Sequence, residues 1–176
     1  INSLGPQIDI IDSIIEFTNV GRSTPAIYLD GVSTNTIRNL TFIQCNSNVS
    51  NSATSVLVSS SVTKVQIDNC TFNCCGTKNN TYAIKILGHD VTVNECIFLT
   101  DIQRSNIQFG AVWVNSIGTH VISNCIALNP KADSGTFKYL FSSSMSGPKS
   151  ITFENLKIDN SRGNAQKSLT LDFLIN

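Results

Sequence analysis

Acid–base work on a glycosidic bond needs two carboxylates held roughly 5 to 9.5 Å apart. In this chain the acidic residues that could come together are Asp101 and Asp133, with Arg104 and Lys131 close to them in sequence. Both lie in polar stretches whose charges are usually solvated, so the reading leans away from catalysis. Contact is the better-supported chemistry. Tyr28, Leu57, Lys85, Trp113 and Phe141 each sit one residue past an aliphatic residue in an alternating run, which puts them on the opposite face of a strand. A column of this kind should be polar, yet this one is mostly apolar or aromatic and includes the only Trp. It suits a subunit interface or a platform on which a sugar ring stacks.

The arrangement that would align these residues is a repeat. Residues 65–72 (VQIDNCTF) return in degraded form at 37–42 (IRNLTF), 91–98 (VTVNECIF), 120–127 (HVISNCIA) and 151–158 (ITFENLKI). A second apolar run precedes each copy, and its first inward residue forms the series Ile27, Val56, Ile84, Val112, Leu140, Leu169, in steps of 28 or 29 residues. A repeat of short strands cannot bury its apolar face except against its neighbours, so the units must stack. Each unit reads as three short strands turning the same way, and stacked units pair like strand with like in parallel sheets.

The third strand follows a corner occupied by Asn39, Asn69, Glu95, Asn124 and Asn155. Asn tolerates the left-handed backbone of a sharp corner. Its amide can donate to the Asn of the coil below, so an inward ladder is expected, broken at a partly solvated Glu95. Asn39 and Asn69 also open Asn-x-Ser/Thr sequons, as do Asn48 and Asn79. As ladder members Asn39 and Asn69 could carry no glycan. Polar loops of varying length fall once per unit, at 46–54, 75–81, 101–109, 129–138 and 160–167, and would form a wall along one side.

Cys70, Cys96 and Cys125 share one repeat position with Leu40 and Leu156, which marks them as small core residues. Cys45 and Cys75 share another and would stack, although parallel stacked side chains rarely offer disulfide geometry. Free thiols are expected, consistent with folding in a reducing compartment. The net charge is zero and 14 % of residues are charged, which gives no reason to propose nucleic acid or an anionic membrane as partner. No apolar run reaches the length of a membrane span. The chain starts at Ile1 without Met, so it is expected to be an excised or processed piece of something longer.

The segments TPAIYLDGVSTNTIRNLTF and YAIKILGHDVTVNECIF resemble the coils of the pectin-lyase-like superfamily, which includes phage tailspikes and other virion appendages. The resemblance covers residue 24 onward. It implies an all-β right-handed parallel β-helix of about six coils, with residues 1–23 as a cap or incomplete coil and 24–176 as the solenoid. At roughly 4.8 Å per coil the rod is about 30 Å long. Galacturonan hydrolases of the superfamily carry paired Asp and Gly-His-Gly. Here Gly88-His89-Asp90 lacks the second Gly and the pair, so His89 reads as a turn residue and His120 as a structural strand residue. The resemblance thus points to a structural, receptor-binding segment of a virion spike, homotrimeric, assembled in a host cytoplasm and contacting host-surface glycan, with no cofactor or metal. A polysaccharide lyase or hydrolase working beside the loops and a secreted bacterial adhesin are the alternatives.

Overall fold

The computed structural model describes residues 1–3, 7–16, 25–31, 34–43, 45, 54–73, 81–99, 109–128, 141–145, 150–159 and 169–173. The first coil holds β1 (Asn2–Ser3), β2 (Asp9–Ile11) and β3 (Ile14–Glu16); the second holds β4 (Ile27–Leu29), β5 (Thr34–Arg38) and β6 (Thr41–Ile43). The third has β7 (Thr54–Val58), β8 (Lys64–Asp68) and β9 (Thr71–Asn73), and the fourth β10 (Thr81–Ile86), β11 (Asp90–Asn94) and β12 (Ile97–Leu99). Then come β13 (Phe109–Val114), β14 (Thr119–Ser123) and β15 (Ile126–Leu128), followed by β16 (Phe141–Met145), β17 (Ser150–Glu154), β18 (Lys157–Asp159) and a last strand, β19 (Leu169–Phe173). Every third strand joins the same sheet. Sheet 1 runs β1-β4-β7-β10-β13-β16-β19, sheet 2 β2-β5-β8-β11-β14-β17 and sheet 3 β3-β6-β9-β12-β15-β18. Neighbouring strands are parallel, with Ile27 beside Val56, Val56 beside Ile84 and Ile84 beside Val112. The chain is a parallel β-helix.

One register departs from the expected series. Val112 pairs with Phe141, not Leu140, and Phe141 pairs in turn with Leu169. Phe141 therefore belongs to the register of the inward series, and Ser142 stands beside Trp113. Tyr139-Leu140-Phe141 is apolar throughout, so alternation offered nothing to choose between two phases. A slip of one residue exchanges the faces of a strand.

The corner between sheets 2 and 3 is where local chemistry dictates the fold. Asn39, Asn69, Glu95, Asn124 and Asn155 all have positive φ, between 49° and 57°, and so does Asp12 at 53° in the first coil. Strict alternation would turn each of these residues inward. The left-handed conformation instead shifts the phase by one, so that Ile37 and Leu40 are both buried while Arg38 and Asn39 between them are exposed. The corner residues consequently lie on the outer surface, which corrects the inward ladder. Their backbone needs no help from amides. The corner N–H groups of Asp12, Asn39, Asn69, Glu95 and Asn124 donate to carbonyls of the coil above, as from Asn39 to Asp68 at 3.1 Å and from Asn124 to Glu154 at 2.9 Å, and the N–H two residues past a corner donates to the coil below, as from Thr71 to Leu40 at 2.8 Å.

The side-chain ladder exists on that outer surface. Asn69 Nδ2 donates to Asn39 Oδ1 at 2.9 Å, Asn39 Nδ2 to Asp12 Oδ1 at 2.7 Å and Asn155 Nδ2 to Asn124 Oδ1 at 3.1 Å. Asp12, which can only accept when ionised, ends the series at the bottom. Glu95 breaks it. There the ladder moves one column sideways, with Asn124 Nδ2 on Asn94 Oδ1 at 2.8 Å and Asn94 Nδ2 on Asp68 Oδ1 at 2.8 Å.

Inside, like residues lie on like. Phe42, Phe72 and Phe98 are fully buried and stack at 4.7 and 5.1 Å between centroids with interplanar angles of 5° and 8°. The spacing of the rings is the spacing of the strands. Cys70, Cys96 and Cys125 fill a column beside them as free, buried thiols, each donating to the carbonyl two residues earlier at 3.1 to 3.3 Å. Among the described residues the end strands of sheets 2 and 3 have a neighbour on one side only, and Ile10, Ile15, Ile151, Phe153 and Leu156 beside or within them are half-buried.

Phe72→Ala removes the middle ring of the stack and should cost about 3–5 kcal/mol, read as a lower urea midpoint. Glu95→Asn places a side chain that tolerates left-handed backbone well at the one corner between Asn39 and Asn155 that lacks it. A gain of about 0.5–1 kcal/mol is expected, and an unchanged or lower midpoint would count against the corner reading.

Candidate functional site

The outer face of sheet 1 brings together four of the five residues expected there. Tyr28 pairs with Leu57, Leu57 with Lys85 and Lys85 with Trp113, and all four are half-buried. Tyr82, from the same strand as Lys85, stacks on Trp113 with centroids 6.0 Å apart and planes 23° apart. The Lys85 ammonium lies 4.6 Å from the Trp113 ring centre. Burial holds the Lys85 amine below the ordinary lysine range, and the ring's negative face partly replaces the lost water.

Tyr82 was not legible from alternation. Ala83 and Ile84 are both buried, so the strand breaks phase and puts Tyr82 on the same side as Lys85. The same pair of buried residues recurs as Ala26-Ile27, Ser55-Val56 and Ala111-Val112.

At the foot of the column the Tyr28 hydroxyl donates to Asp30 Oδ2 at 3.3 Å, and Asp30 Oδ1 accepts from the Gly31 N–H at 3.0 Å and from the Ser61 hydroxyl. Hydrogen bonds from Ser61 and then Ser59 hold the Asp30 carboxyl below the usual carboxylate range. A carboxylate so supplied with donors stays ionised and serves as an anchor for Tyr28; it is not tuned to exchange a proton near neutral pH.

Sheet 3 carries a second apolar outer face. Ile43, Ile97, Leu99, Ile126 and Leu128 are half-buried, beside Thr41, Thr71 and Asn73. From β6 to β15 no outward position of this sheet is charged, whereas Glu16 in β3 and Lys157 in β18 bound it. The sequence hides this surface because Ile97-Phe98-Leu99 and Ile126-Ala127-Leu128 are apolar at every position. Sheet 2 is its opposite, with Arg38, Lys64, Asp90 and Glu154 exposed.

Asp101, Asp133, Arg104, Lys131, Leu140 and Cys75 lie outside the described residues, as do the sequons at Asn48 and Asn79. Cys45 is a buried free thiol whose Sγ donates to Ile15 O at 3.3 Å. Contacts with Cys125 and Cys70, and then burial, push the Cys96 thiol well above its ordinary range, so the middle of the column stays protonated at neutral pH. His89 lies exposed in a turn, its Nδ1 3.2 Å from Ile117 O. Asp90 accepts from the Thr119 N–H at 3.1 Å. Among the described residues no group of three His, Cys, Asp or Glu could hold a metal ion, and no helix is long and apolar enough to cross a membrane.

No protein-family model, no curated protein and no solved structure matches the chain.

Proposed function

We propose that the chain is a structural, receptor-binding segment of a virion spike or tail appendage, contacting host-surface glycan through the outer face of sheet 1. The observation that carries this reading is the half-buried column Tyr28, Leu57, Lys85 and Trp113 with Tyr82 against the indole. It forms an apolar and aromatic strip on a sheet whose strand pairing leaves it little freedom to rearrange. Sugar rings present C–H faces that stack on such surfaces, and preformed aromatic contacts bind without a large ordering cost. The likeness of the coils to the pectin-lyase-like superfamily supports an appendage role, since that architecture serves as stalk and binding surface as well as enzyme.

The same reading gives the chain a second copy of itself as partner. Three rods side by side about a threefold axis keep each coil level with its counterparts, and sheet 3 is the face suited to that contact. Its aliphatic residues are concentrated in the fourth and fifth coils, so level packing buries apolar on apolar.

Two measurements test this. On a glycan array followed by calorimetry, one class of surface glycan should bind, and Trp113→Ala should weaken it by at least tenfold with the fold intact. Binding indifferent to Trp113, or glycan turnover by the protein, would overturn the reading. In light scattering coupled to size exclusion, the parent chain should run as a trimer and Leu99→Lys/Leu128→Lys as a monomer. A monomeric parent at micromolar concentration would refute the oligomer.

A further inference from the structure

One buried titratable group has no role in either surface. His120 is the first inward residue of β14 and is fully buried. It stands in register with Val91, Val65 and Asn35 in the coils below and with Ile151 above. Its Nε2 lies 2.9 Å from the Ser116 hydroxyl, and its Nδ1 has no hydrogen-bond partner. Ser116 belongs to the turn at 115–118 that joins β13, the strand of Trp113, to β14. That turn is packed hard on the one below. A Cβ at Gly118 would fall 1.7 Å from the His89 backbone oxygen, so only glycine permits the approach.

The consequences follow from the inventory of an imidazole. Neutral, it can donate from Nε2 to Ser116 and leave a bare lone pair at Nδ1, or accept at Nε2 and leave an unpaired N–H. Both arrangements cost something, and both are uncharged. Protonated, it would carry two N–H donors and a full charge; the Ser116 hydroxyl and backbone can answer one of them, which favours the charged form, while Nδ1 has no acceptor and burial opposes the charge. The charged and titratable groups that face it are few. Asp90, on β11, favours the charged form, but Asp90 lies exposed, already accepts from Thr119 and pairs in register with Lys64. His89, in the turn beneath, opposes it. From β17 the register neighbour is Ile151.

We propose that His120 is an acid-sensitive latch, which as a neutral imidazole closes the turn of the fifth coil on Ser116 and on protonation releases it. Burial holds the His120 imidazole below its ordinary range near 6.5. The open state therefore takes up the proton first, and the latch is fully effective above about pH 6.5 and weakens as the pH falls below that value. Because β13 leads into this turn, acid would loosen the coil that presents Trp113.

The test uses positions the fold has already filled. Val occupies the register of His120 in two coils and Asn in another, so His120→Val and His120→Asn are both suited to it. The wild-type folding equilibrium constant should fall by up to about tenfold per pH unit between pH 6.5 and 5 in excess of either variant. At pH 5.5, amide exchange at 115–123 should be faster in wild type than in His120→Val, with the other coils unchanged. The chain has two histidines, so His89→Gln leaves the His120 imidazole resonance alone in the NMR spectrum; it should remain neutral while the protein stays folded. Parallel pH profiles for wild type and variants, exchange accelerated equally in every coil, or protonation of His120 in the intact fold at pH 6.5 or above would each overturn the proposal.

Discussion

The structure depends on a corner that converts a straight strand into a coil while tying its backbone to the coils on either side. A residue with positive φ shifts the alternation by one, and its N–H then meets a carbonyl of the next coil while the N–H two residues later meets one of the coil before. The inward positions follow as a fixed pattern, Ile37-Leu40-Phe42, Ile67-Cys70-Phe72, Val93-Cys96-Phe98 and Ile122-Cys125-Ala127, all buried. Because the pattern has one length, identical positions lie over one another. A loop elsewhere can vary as long as this module does not. The energy of the fold is therefore collected in columns of aliphatic, aromatic and thiol side chains, each touching its own kind.

Columns on the inside imply columns on the outside. A residue type repeated once per coil becomes a stripe at strand spacing, and three sheets give three such surfaces of different character. Sheet 2 is charged and solvated, sheet 3 is uncharged across its central coils and aliphatic in the fourth and fifth, and sheet 1 carries aromatic rings and one partly desolvated ammonium. The chemistry available to the molecule is thus contact over a preformed area. The same rigidity explains why His120 is conspicuous: in a stack where Val91 and Val65 precede it, a titratable ring is the exception and ties one turn to the protonation state of one atom.

Much of this was legible in the sequence because the repeat writes its own register. The return of apolar-x-Asn-apolar at near-constant spacing located the sheets and the left-handed corners, since few residues other than Gly and Asn accept that backbone comfortably. What the sequence concealed has physical causes. Asp12 was missed because the first coil is rich in Ile on every side, so its corner had no pattern around it. The inward series was continued at Leu140 where the register runs through Phe141 for the same reason, uniform apolarity around a slip of one residue. The ladder was expected inside because alternation alone points it there, and only the phase shift of the corner turns it outward. Tyr82 and the outer face of sheet 3 lay where alternation fails, at two adjacent buried residues and in strands apolar throughout.

The central claim is that residues one coil apart are neighbours in space. Methyl and aromatic nuclear Overhauser contacts test it directly, in a sample labelled at Val, Ile and Phe. The account predicts cross-peaks linking Val56 with Ile84, Ile84 with Val112 and the ring of Phe72 with those of both Phe42 and Phe98. Absence of these contacts in the folded protein, or their replacement by short-range contacts between residues three and four apart, would contradict it.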